Sequence, residues 1–133
     1  MTGRVLAPGS GSGHALVLRE PLSLWGGVDP ATGIVIDARH PQRGASMTGR
    51  VLVMPAVRGS SSSSSVLAEA VRAGSAPAAI LLGEVDLILA VGAAVAEELY
   101  GRSVPVVVLP PEALAAIADG ALVQVDGAEV VIA

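Results

Sequence analysis

The sequence predicts an α/β domain whose β-rich N-terminal half packs on β-α units. Three observations lead there. Short β-branched runs recur along the chain, separated by clusters of Gly, Pro, Asp and Ser. In the second half, longer stretches carry apolar residues at helical spacing and close on glycine. Hydrophobic residues make up 52% of the 133 positions and charged residues only 15%, a balance that excludes intrinsic disorder. With no Phe, one Trp and one Tyr, the core is built from Val, Leu, Ile and Ala. A single domain over residues 1–133 is expected, burying roughly two-thirds of its unfolded surface.

Each element has a local reason. Gly9-Ser10-Gly11-Ser12-Gly13 has the composition of a flexible loop or tight turn. Ala15–Leu18 is a short buried strand, and Gly26-Gly27 gives a sharp turn or a close backbone approach. Asp29-Pro30-Ala31-Thr32-Gly33 has turn chemistry, with Asp first, Pro setting φ and Gly closing. Ile34–Ile36 is a strand, His40–Gly44 a loop, and Arg50–Met54 a strand that stops at Pro55. Val66–Ala73 fits a helix ended by Gly74, and Ala78–Leu82 a buried strand. Ile88–Tyr100 is a helix closed by Gly101, and Val104–Leu109 a strand. Pro111–Asp119 is a helix with Pro and Glu at its start and Gly120 after it. Leu122–Asp126 and Val130–Ile132 form a hairpin about Asp126-Gly127.

Charge and composition exclude several functions. Twelve acidic and eight basic residues leave a net charge of −4, which offers no electrostatic footprint for nucleic acid. Without cysteine the chain supplies no disulfide, thiolate nucleophile or Cys-ligated metal. Any iron–sulfur chemistry would need a partner's thiolates. Met1–Val5 lacks the apolar stretch of a signal peptide. The most apolar region, Ile80–Ala96, is broken by Gly83, Glu84, Asp86 and Gly92. It falls short of the ~20 apolar residues of a membrane span, so no membrane contact and a cytoplasmic location are expected.

The segment most informative for chemistry runs from Met54 through Arg58-Gly59 to the six serines Ser60–Ser65. Serine runs occur as linkers. This one instead joins a buried-looking strand directly to an amphipathic helix. Hydroxyls there meet free backbone N–H groups and the positive end of the helix dipole. That setting holds an anionic group or favours a serine alkoxide. Composition alone leaves linker and site equally open. His14 and His40 lie in loop-like sequence, where a solvated histidine is the ordinary case, and neither has a second ligand at metal spacing. Trp25 reads as a core or interface residue. Glu20, Asp29 and Asp37 are single carboxylates with no sign of a converging pair. Arg43 and Arg58 are candidates for anion contacts.

Taken together, these segments resemble the small, swivel-domain component of the aconitase X family. The resemblance covers nearly the whole chain. It rests on Pro21–Gly33, Asp37–Gly44, Gly49–Pro55, Arg58–Ser63, Ala76–Ile80 and the Gly92–Gly101 stretch. It implies a swivelling β/β/α fold that closes over a larger, cysteine-bearing component holding an iron or iron–sulfur centre, with no cofactor bound by this chain alone. The implied partner is therefore a large subunit in a heteromer, and the implied substrate a small hydroxy acid or hydroxy amino acid. The family's catalytic serine, the first after glycine, falls on Ser60 as general base. Arg58, Gly59, Ser61, Ser62 and Ser63 fall at substrate-binding positions, though Ser61–Ser63 equally suit helix capping. One departure is Ala56-Val57, where the family pattern places a glycine-rich pair.

Within the family, one branch dehydrates phosphomevalonate and reads Gly-Ser-Thr-Val-Gly-Ser at the site. The other resembles cis-3-hydroxy-L-proline dehydratase, with polyserine followed by Val-Leu-Ala-Glu. Ser60–Ser65 followed by Val66-Leu67-Ala68-Glu69 sides with the second. It implies Lewis-acid assistance by the partner's iron, removal of the C2 proton by Ser60, loss of water and tautomerisation to Δ1-pyrroline-2-carboxylate. Two rivals stand beside it. One is a non-catalytic subunit that only covers its partner's site. The other is a phosphohistidine carrier of similar design, which would need His14 or His40 to take up phosphate and has no supporting context. For a subunit, the apolar composition implies an exposed hydrophobic patch on the isolated chain.

Overall fold

The short β-branched runs become strands and the amphipathic runs become helices in a computed structural model that describes residues 1–133. In chain order the elements are β1 (Arg4–Ala7), β2 (Ser10–Val17), a single turn α1 (Leu24–Gly27), β3 (Val28–Asp29), β4 (Ile34–Val35) and β5 (Val51–Met54). There follow α2 (Ser63–Ala73), β6 (Ala79–Leu82), α3 (Leu87–Tyr100), β7 (Val106–Val108), α4 (Pro111–Ala115), β8 (Leu122–Asp126) and β9 (Glu129–Ile132). Seven strands form one mixed sheet in the order β1-β7-β6-β5-β2-β8-β9, and β3-β4 form a small hairpin.

Strands β2, β5, β6 and β7 run parallel, while β1, β8 and β9 pair antiparallel at the two ends of the sheet. Central parallel strands must be apolar on both faces, and β5 and β6 are buried along their whole length. Their side chains alternate. Leu52, Met54, Ile80 and Leu82 join the core beneath α2 and α3. Val51, Val53, Ala79 and Leu81 join a second core with Leu114, Ile117, Val123 and Val125. Because the four strands are parallel, the segments that follow them emerge at one edge of the sheet, where α/β domains place their ligands.

Helix ends obey local chemistry. Asp86 caps α3, its carboxylate accepting from the amides of Ile88 and Leu89 at 2.9 and 3.1 Å. Gly74 and Gly101 close α2 and α3 in the left-handed conformation. Arg102 donates to the Val71 carbonyl in the last turn of α2. The Asp29–Gly33 turn joins β3 to β4, with Gly33 N donating to Asp29 O at 2.7 Å. It is fastened to the end of α2 by Ser75 Oγ, which donates to Pro30 O.

Five expectations change. β1 is a strand that local composition does not announce; it pairs with β7 at the sheet edge. Ser10–Gly13 is not a flexible loop but the first half of β2, paired with β8. A Cβ on Gly11 would sit 2.2 Å from Ala78 O, and one on Gly13 would sit 2.3 Å from Gly49 O. The glycines therefore serve close approach, not flexibility. His14 consequently lies in a strand, exposed, with Nδ1 3.1 Å from Gly120 O. His40 is not solvated. It is 6% exposed, with Nε2 3.0 Å from Glu20 O and Nδ1 accepting from Gln42 N at 3.1 Å, a pairing that fixes the Nε2–H tautomer. Helix α4 stops at Ala115 instead of Asp119. Beyond it, Asp119 accepts from Val17 N and Gly120 N donates to Ala15 O, so the segment is drawn onto β2.

The glycines of β2 give a test of sign. Gly11→Ala and Gly13→Ala should each cost ~1–3 kcal/mol as overpacked sites. In a flexible loop the same change would raise stability by about 0.4–1 kcal/mol. Thermal unfolding of the two variants decides between them, and a raised Tm would contradict the close packing.

Candidate active site

The loop between β5 and α2 is tied down on both sides by the β6–α3 unit. Val57 N donates to Glu84 Oε1 at 3.0 Å, and the Val57 side chain packs on the core beneath α2. This accounts for Ala56-Val57 in place of a glycine pair: the loop is anchored there. A Cβ on Gly83 would sit 2.3 Å from Pro55 O, so the two loops touch through backbone. At the far end, a Cβ on Gly92 of α3 would lie 2.8 Å from Ser64 O and 2.9 Å from Ser64 Cα. The first turn of α2 thus rests directly on α3.

The six serines divide into two groups. Ser63 is buried; its Oγ accepts from Trp25 N at 3.4 Å and lies 3.5 Å from Ser23 Oγ. Ser64 Oγ donates to Ser61 O at 3.0 Å. Those hydroxyls hold the loop in place. Ser60 is half-buried, and its carbonyl accepts from Ser63 N at 2.9 Å. Ser62 occupies the N-cap position with helical backbone and makes no side-chain cap bond. The hydroxyls of Ser60, Ser61, Ser62 and Ser65 make no hydrogen bond within the chain, and neither do the backbone amides of Ser61, Ser62 and Ser64. Arg58 is exposed with no carboxylate within 4.0 Å, and Gly59 faces open space.

Helix polarity adds to this. The N-terminus of α2 presents its positive end to the loop, and Arg58 stands two residues before Ser60. At the other end of α2, the Arg72 guanidinium hydrogen-bonded to Glu69 holds that carboxyl below its ordinary range. Both side chains remain open to water, so the pair carries little stability. An arginine beside a free N-terminus is an arrangement that binds anions and stabilises a developing alkoxide.

Arg58, Gly59, Ser60, Ser61 and Ser62 are therefore brought together on one surface loop, with Ser63 beneath it. Arg43, His14 and His40 lie elsewhere. Glu84, Gly83 and Gly92 shape the loop from other elements. Trp25, 57% exposed at the surface, is joined to the loop through its backbone N–H rather than packed in the core. A Gly-Glu pair straight after the Ala78–Leu82 run could have flagged Glu84, since parallel neighbours end at the same edge.

Residues 56–63 line none of the principal cavities. The loop lies at the surface between the hollow at Pro55 and Gly83 and the one at Ser64 and Ser65. No group of three His, Asp or Glu residues is placed to hold a metal ion, and the chain has no cysteine, so its residues do not fit an iron centre. No helix is long and apolar enough to cross a membrane. The outer face of α3 leaves Leu87, Val91, Val95 and Leu99 exposed in a stripe, the hydrophobic patch the composition implies.

A curled mixed sheet with helices, carrying a Gly-Ser loop at one edge, is a swivel domain. The chain belongs to the aconitase X swivel domain family, whose model matches residues 1–133. The crystal structure of Thermococcus kodakaraensis aconitase X in its holo-form superposes with a TM-score of 0.87 at 37% identity, covering 99% of this chain and 96% of that one. A cis-3-hydroxy-L-proline dehydratase of Pseudomonas aeruginosa is 55% identical over 106 residues, 80% of this chain. The chain spans only 18% of the length of that relative. A phosphomevalonate dehydratase small subunit of Methanosarcina acetivorans is 38% identical over 130 residues, 97% of this chain and 86% of that protein.

The division of the serines is testable in the isolated chain. Ser63→Ala should lower stability by about 1 kcal/mol by removing a buried hydrogen-bond partner. It should also shift the emission of Trp25, the single tryptophan. Ser62→Ala should leave Tm unchanged. Equal Tm for both would remove the structural role of Ser63.

Proposed function

We propose that this chain is the small, swivelling part of an aconitase X-type hydro-lyase that dehydrates cis-3-hydroxy-L-proline, with Ser60 as the general base. The observation that carries the reading is a Gly-Ser loop at the N-terminus of α2, in a domain 55% identical to part of a cis-3-hydroxy-L-proline dehydratase. A serine hydroxyl is a weak acid, so a base role needs local positive potential. The helix terminus, the free amides beyond Ser60 and Arg58 supply it. Ser60, as its alkoxide, takes the C2 proton onto Oγ, the C2–H electrons form C2=C3 as the C3–O bond breaks, the departing hydroxide takes that proton from Oγ to leave as water, and the enamine tautomerises to Δ1-pyrroline-2-carboxylate. Arg58, Gly59, Ser61 and Ser62 receive the substrate carboxylate, and Ser63 holds the loop beneath them.

The remainder of the enzyme belongs to a large subunit. Residues 56–63 line none of the principal cavities, and the apolar stripe on α3 provides surface to be covered. An iron or iron–sulfur centre would be that partner's, since this chain has no residues to hold one. A second reading is the small subunit of a phosphomevalonate dehydratase. Its support is the 38% identity with the Methanosarcina small subunit, which extends over 97% of this chain.

Reconstitution with an aconitase X large subunit, anaerobically and with iron, tests the assignment. Dehydration of cis-3-hydroxy-L-proline should require both chains. Ser60→Ala should lower kcat by ~10²–10⁴-fold, the usual worth of a positioned base, with assembly intact. Full turnover by Ser60→Ala would leave this chain a covering subunit only. Turnover of phosphomevalonate and not hydroxyproline would select the second reading.

A further inference from the structure

We infer that the chain carries a second binding site, for a doubly charged oxyanion of the phosphate class, in the cavity at the end of β2. The cavity has a volume of about 430 Å³ and is lined by Arg19, Arg43 and Arg50 with a single carboxylate, Asp119. In a chain of net charge −4, three of eight cationic residues face one hollow. None of its lining residues belongs to the Ser60 loop, so the site is independent of the function proposed above.

The charges are not equivalent. Arg50 is committed: it donates to Ala15 O at 2.7 Å and to His14 O at 3.4 Å, and lies 4.0 Å from Asp119. Asp119 in turn accepts from Val17 N at 2.9 Å. These two groups form a fixed, neutral floor. The guanidinium groups of Arg19 and Arg43 have no carboxylate within 4.0 Å. Two uncompensated positive charges match a dianion better than a monocarboxylate, and planar guanidinium groups bind phosphate oxygens in pairs.

Their backbones are also preorganised. Gln42 Oε1 accepts from Arg19 N at 2.8 Å, and Gln42 Nε2 donates to Val17 O at 2.7 Å. Buried His40 accepts from Gln42 N and holds the same loop to Glu20. One side chain, Gln42, thus cross-links the segments that carry both free arginines. A site stiffened in this way loses less entropy on binding.

The test is an amide NMR titration of the chain with inorganic phosphate, glycerol phosphate and acetate at matched ionic strength. Phosphate should shift Arg19 and Gln42–Gly44. Arg19→Gln and Arg43→Gln should each weaken binding about tenfold, as expected for loss of a charged hydrogen bond. Arg43→Lys should recover part of it, and the distant Arg4→Gln should change nothing. Both free side chains bond nothing in the chain, so the variants should keep dispersed native spectra. Tighter binding of glycerol phosphate than of inorganic phosphate would identify an organic phosphate as the ligand; the reverse would identify free phosphate. No shifts, shifts equal to those with acetate, or shifts confined to Ser60–Ser64 would overturn the site.

Discussion

The fold depends on how closely β2 can lie on the segments that lead into β5 and β6. The carbonyls of Gly49 and Ala78 stand immediately before those strands, and both point at positions where β2 has only hydrogen. With any side chain at Gly11 or Gly13, the first half of β2 would be pushed off. That half could then not pair with β8 while the second half pairs with β5. β2 joins the parallel centre of the sheet to the antiparallel β8-β9 end. The curl of the sheet, and the second core formed with Val123 and Val125, rest on that junction.

The loop of the candidate site inherits its place from the same centre. β5 and β6 are neighbours in register, so the loops that leave them meet, Pro55 against Gly83 and Val57 against Glu84. The serine run looks redundant as a sequence, yet its members have separate tasks. Two hydroxyls, of Ser63 and Ser64, are used to build the loop, and the other four make no hydrogen bond within the chain. A polyserine stretch therefore combines bonded and unbonded hydroxyls in consecutive residues.

Much of the second half was legible because its signals are local: apolar runs for β6 and β7, helical spacing for α3, and glycine stops at Gly74 and Gly101. The terminal hairpin was equally plain. The first half hid its strands because Ser10–Gly13 has the composition of a loop, and only a tertiary neighbour explains the glycines. His40 was misjudged for the same reason. Its burial comes from Glu20 and Gln42 folding around it, which no window of sequence shows. At the candidate site, the Gly-Ser composition leaves linker and site equally open, and only the resemblance points to Ser60. Nothing local could separate Ser63 from Ser62, since the difference is whether Trp25 arrives beneath the hydroxyl.

The contact between Gly92 and Ser64 has a mechanical consequence. A helix that touches the next helix through bare backbone has no flexible side chain between them to absorb a displacement. The exposed apolar stripe of Leu87, Val91, Val95 and Leu99 runs along the same helix, and Val95 lines a hollow with Ser64 and Ser65 beside that contact. A displacement of α3 therefore reaches the first turn of α2 with little slack between them, and the serine loop moves with the helix that supports it.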